Sequence, residues 1–129
     1  MQSDNPGNVV RLAMDAAGLR VDRVEHDSAL VYRVAGEVDT LTAPHLDLAL
    51  ADPPATAVSR VVLDMTEVPF LSSAGLSILV EHHTACQRDG IAFAVVAPVH
   101  AVRRAMEITA LDRVIPLYDT VPAALLADG

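Results

Sequence analysis

VVLDMTEVPFLSSAGLSILV, residues 61–80, decides the fold. With Arg60, its opening is a short β-branched run, RVVLDM, suited to a strand buried on both faces. Its second half is apolar at helical spacing. Leu79, Val80 and His83 follow Leu76 at three, four and seven residues and share one helix face. A strand that runs into a helix is half of a crossover unit, which implies a parallel neighbour with the helix packed on the sheet. Between the two halves, Ser72 and Ser73 stand at the carboxyl end of the strand, where open α/β sheets form their sites.

Downstream the alternation continues. The helix beginning near Ala74-Gly75 should stop at Gly90, and IAFAVVAP (91–98) reads as a second buried strand. VHAVRRAMEITA (99–110) is helical, with Val99, Val102, Ala105 and Met106 as its stripe, and residues 114–117 form a short last strand. A closing helix follows, capped by Asp119 or Thr120, with Pro122 in its first turn. Upstream, ALVYRVAG (29–36) alternates as a half-buried strand. It pairs with a strand over 19–24 through a turn at HDSA (26–29). Thr42 and Pro44 open a helix that DPPA (52–55) ends. Residues 11–20 suggest a short helical turn or lead-in, and 1–8 a loose tail. The expected order is β-β-α-β-α-β-α-β-α. This is one α/β domain: an N-terminal hairpin plus parallel strands in a four- to five-stranded mixed sheet, packed by about four helices. Residues 1–19 are expected as an N-terminal extension, partly disordered or a short helix, and 20–129 as the domain.

Composition narrows the partners. The 129 residues are 52% hydrophobic but only 3% aromatic, so the core is built from Val, Leu, Ile and Ala. The formal net charge is −8, from 9 basic and 17 acidic residues. All the bases are Arg, and none clusters beyond Arg103-Arg104. An acidic chain without a basic stripe is a poor ligand for nucleic acid or anionic lipid. Cys86 stands alone, so no internal disulfide forms. The start of the chain lacks a signal-peptide pattern, and no apolar run approaches membrane-spanning length. The expectation is a cytoplasmic domain with a protein partner, without membrane, nucleic acid, cofactor or metal, as a monomer or weak dimer.

The two serines admit three readings. One is structural, since serine is a preferred helix cap. A second is covalent: a phosphate here would meet the positive end of a helix dipole and bring about −1.5 to −2 charges. The third is a nucleophile, but Gly-x-Ser-x-Gly is broken by Leu71 two places before Ser73. His82, His83 and His100 are the imaginable bases, but His82 and His83 lie more than two turns along the helix. With Cys86 they also resemble metal ligands, yet no second cluster completes a zinc site. They read instead as a solvated residue (His82), a core-edge residue (His83) and a small buried hydrophobe (Cys86). Glu37 and Asp39 flank Val38 and could pair as acid and base, although Asp39 before TLTAP also suits a cap of the next turn. Asp64 and Glu67 add negative charge near the serine loop, which would make it sensitive to an added phosphate.

The combination of GEVD, then VVLDMTEVPFLSSAGLSILV, then AVVAPVHAVRRAMEITALDRVIPLYDT resembles the STAS domain, especially the stand-alone anti-sigma factor antagonists of bacteria. The resemblance runs from about residue 20 to 127. It implies a non-enzymatic binding module, with no catalytic residues, in transcription regulation and the stress response. Its unphosphorylated form would bind an anti-sigma factor with serine kinase activity and release a sigma factor; a phosphatase would reverse the modification. Matched position by position, the family's phosphorylated serine falls on Ser73, with Ser72 as the lesser candidate. Asp39 matches an acid beside that serine that supports docking and phosphorylation. Glu37, Asp39, Ser72, Ser73, Ala74, Gly75 and Leu76 would form the partner surface. The residue before the modified serine is commonly Asp in the family and is Ser72 here. The alternative within the same fold is a non-phosphorylated STAS scaffold of a transporter or larger signalling complex.

Overall fold

A computed structural model describes residues 10–54 and 57–127. Six strands form a single sheet in sequential order. They are β1 (Val10–Ala16), β2 (Leu19–His26), β3 (Ala29–Ala35), β4 (Arg60–Glu67), β5 (Ala92–Val96) and β6 (Leu117–Tyr118). β1, β2 and β3 are antiparallel, whereas β3, β4, β5 and β6 run parallel. Four helices connect or close them: α1 (Ala43–Ala51), α2 (Ser73–Arg88), α3 (His100–Ile108) and α4 (Val121–Leu126). The mixed α/β architecture matches the sequence expectation, with more strands than the four or five expected.

The extra strand is β1, where residues 11–20 suggested a helical turn. Ala17 and Gly18 both adopt positive φ, at 55° and 85°. That is the two-residue hairpin geometry whose twist matches its flanking strands. The last strand also differs from expectation. Residues 111–113 form a 3-10 turn, Val114 is exposed, and Ile115 is buried as an anchor. Pro116 cannot donate to a ladder, so β6 begins after it, although its carbonyl accepts from Val95 N–H at 3.0 Å. The expected tail over residues 1–8 lies outside the described residues.

Burial explains the patterning. On one face β2 and β3 present Leu19, Val21, Leu30, Tyr32 and Val34 to a main core that also takes Leu46 of α1, Leu79 of α2, and Val102 and Met106 of α3. On the opposite face α4 covers β4 and β5, with Ala124 packed among Val62, Ala94 and Val96. β4 is therefore apolar on both sides, while β2 and β3 alternate. Along α2 the buried residues are Gly75 and Leu79. Val80, expected in the stripe, is 39% exposed, because the sheet meets the helix on the Gly75 side.

Candidate functional site

The site is assembled where β3 and β4 end side by side. Gly36 leaves β3 with φ +118°, and its N–H donates to Glu67 C=O at 3.0 Å. A Cβ there would sit 2.5 Å from Gly18 O, so only glycine lets the chain pass. Two residues on, Val38 makes an isolated parallel bridge to Leu71. Val38 N–H donates to Phe70 C=O at 2.9 Å, and Ser72 N–H donates to Val38 C=O at 2.8 Å. Both bridge residues are buried. Gly75 lies over them: a Cβ would approach Leu71 Cδ1 to 2.5 Å and Val38 Cγ1 to 2.7 Å. The GEVD segment and the serine loop are thus held together by backbone, with Asp39 and Ser72 one residue beyond the bridge on each side.

The serines then divide. Ser72 is the N-cap of α2 in an extended conformation; its Oγ accepts from Gly75 N–H at 3.3 Å, and its C=O accepts from Leu76 N–H at 2.9 Å. Ser73 is the first helical residue and is exposed. Among the described residues, nothing hydrogen-bonds its hydroxyl. Ala74 and Leu76 are half-buried, and the groove along α2 from Ser73 past Leu76 and Val80 faces Thr109 and Leu111.

Across the bridge, Asp39 caps the turn into α1. Its Oδ1 accepts from Leu41 N–H at 2.9 Å and Thr42 N–H at 3.0 Å. These bonds, that from Thr42 N–H foremost, hold the carboxyl below the usual carboxylate range. Thr42 is the N-cap of α1, as expected, but its side chain makes no cap bond to the helix and organises the preceding segment. Its hydroxyl donates to Glu37 C=O at 2.8 Å and accepts from Asp39 N–H at 2.9 Å. Glu37 itself is exposed. Two apolar side chains that the residue pattern did not mark as site residues flank this surface in solvent, Leu41 at 78% and Phe70 at 49% exposure. The Asp39-to-Thr42 spacing was the available signal for the loop. Nothing in the sequence marked Leu41 and Phe70 as uncovered.

Other candidates lie elsewhere. Asp64, expected near the serine loop, is buried and accepts from Thr66 N–H at 3.0 Å. His82, expected in solvent, pairs through Nε2 with Asp47 Oδ1 at 2.7 Å. Its position nine residues along α2 from Ser73 is about 13 Å away along the helix axis. His83 packs edge-on against Phe93, centroids 5.9 Å apart, as a core-edge residue. Cys86 is half-buried, and burial pushes its thiol pKa up. Among the described residues no group of three or more His, Cys, Asp or Glu is placed to hold a metal ion. No helix there is long and apolar enough to cross a membrane.

The chain belongs to the STAS domain family: a family model for the STAS domain matches residues 20–124. The chain is 31% identical over 107 residues to the anti-sigma-F factor antagonist RsfB of Mycobacterium tuberculosis, covering 83% of this chain and 87% of that one. It is 24% identical over 112 residues to an anti-sigma F factor antagonist of Paenibacillus polymyxa, covering 83% and 92%. Among solved structures, an anti-sigma factor antagonist from Mycobacterium paratuberculosis superposes with a TM-score of 0.71 at 35% identity, covering 93% of each chain.

Proposed function

We propose that this chain is an anti-sigma factor antagonist, a binding module that grips an anti-sigma factor and so frees a sigma factor, with phosphorylation of Ser73 ending the grip. The Val38–Leu71 bridge carries the reading, because it sets the Glu37–Asp39 segment beside an exposed, uncommitted hydroxyl. Ser72 already caps the helix, so modifying Ser73 leaves α2 intact. A phosphate there meets the positive end of a 16-residue helix, which tolerates it, and a surface rimmed by Glu37 and Asp39, which does not welcome more negative charge. The domain stays folded while its docking face gains negative charge and bulk.

The partner would be an anti-sigma factor that is also a serine kinase, with a phosphatase resetting the switch. The names of the relatives support the antagonist role; the geometry of Ser73 supports the modification. Incubation with the cognate kinase and ATP should label the wild-type chain and leave Ser73→Ala unlabelled on a phosphate-affinity gel. Ser73→Asp should weaken binding to the anti-sigma factor by about tenfold or more, the effect of roughly 1.4 kcal/mol of lost interface energy. Equal labelling of Ser73→Ala, or undiminished binding by Ser73→Asp, would overturn the switch and leave a STAS scaffold indifferent to this residue.

A further inference from the structure

Away from the serine surface, the C-terminal end of α1 and the middle of α2 line a cavity of about 150 Å³ against the sheet, partly open to solvent. Its floor is Tyr32, Val61 and Phe93, its walls include Leu50 and Cys86, and Pro53 and Pro54 stand at its rim. The sequence explains the void. With two Phe and no Trp, the chain has few side chains large enough to fill the space, and the Pro53-Pro54 break stops α1 from extending over it.

Most polar groups beside the cavity are engaged; among the described residues, Arg23 Nε is buried without a hydrogen-bond partner. His82 Nε2 is paired with Asp47 at 2.7 Å. Arg23 donates to the carbonyls of Asp52 at 2.6 Å and Pro53 at 3.3 Å. A water molecule needs two to four polar partners to be held in such a space, and a charged ligand would lose its hydration without replacement. An apolar cavity of this volume is large enough for a benzene-sized molecule.

The geometry points to a binding site for a small apolar molecule, a single aromatic ring or a compact branched hydrocarbon, between α1, α2 and the sheet. Such a ligand restores the van der Waals contacts that the lining lacks, and it leaves the polar pairs at the rim undisturbed.

Benzene serves as the probe and the Cys86 thiol as the reporter. Alkylation of Cys86 by iodoacetamide should slow about fivefold when benzene reaches about four times its dissociation constant, since the bound fraction is protected. Amide resonances should shift around 50–52, 58 and 82–93 and stay in place near Ser73. Val58, another lining residue, is half-buried; Val58→Phe should fill the cavity and abolish the protection. Unchanged alkylation of the wild-type chain up to benzene saturation would overturn the proposal, as would equal protection in a folded Val58→Phe variant. If that variant does not fold, the amide map decides, with shifts scattered over the whole surface counting against the site.

Discussion

Ser72 and Ser73 carry the same hydroxyl one residue apart, yet only Ser72 turns it back to the backbone of α2. The difference is measurable. Ser72→Ala should lower stability by about 1 kcal/mol in urea denaturation, the usual cost of a lost serine cap, while Ser72→Asp should keep it. Ser73→Ala should stay within about 0.5 kcal/mol of wild type, as exposed substitutions do. A Ser73→Ala loss equal to that of Ser72→Ala would mean that the roles are exchanged. Sequence placed both serines at the mouth of a helix, because capping is a local preference. It could not say which one caps, since that depends on where the first helical residue falls, and the bridge from Val38 to Leu71 fixes that point. Val80 was misplaced for a related reason: helical spacing defines a stripe, but the sheet contact chooses which edge of the stripe is buried.

At the scale of elements, the turn from β3 into α1 is a hydrogen-bonded knot around Asp39 and Thr42. Because the folded Asp39 carboxyl is held below its ordinary value of 3.8, its contribution is complete above that value and is lost as pH falls through the depressed folded value. Relative to the intrinsic rate at each pH, the Leu41 and Thr42 amides should therefore stay protected from neutral pH down to the ordinary carboxylate range and lose protection below it. Asp39→Asn should remove that acid dependence. If wild-type protection is lost already near pH 6, a different group controls the turn. Sequence marked Asp39, just before TLTAP, as suited to cap this turn, because capping is a local preference. It did not foresee β1. There Ala13, Ala16 and Ala17 favour helix by propensity, and the deciding fact is non-local: residues 10–16 pair across the hairpin with 19–25.

The whole molecule is asymmetric. α1, α2 and α3 share one face of the sheet; α4 covers β4 and β5 on the other, while Arg20 and Arg33 stay in solvent beside it. At one edge β1 shields β2, whose Arg23 and Glu25 are buried and 3.4 Å apart. A chain starting at Leu19 would expose the β2 ladder and loosen the cover over that buried pair. Its melting temperature should fall by roughly 5 °C or more, with higher-order species on size-exclusion chromatography. An unchanged melting temperature and a single monomer peak would show that β1 is dispensable. The order of parallel strands and crossovers was legible because β4 and β5 are short β-branched runs bounded by helical patterns. The short last strand was expected over 114–117; its start at Leu117 was not, because a two-residue pairing leaves no period to read.

The latch between Val38 and Leu71 joins parts of the chain made at different moments of synthesis. A nascent polypeptide still on the ribosome carries Glu37 and Asp39 well before Ser73 emerges, and the two meet only after α1 has swung over and β4 has slotted in. On the proposed reading, a regulator that recognises the composite patch does not find it on a chain that ends before β4 and α2, so such short chains do not compete for it.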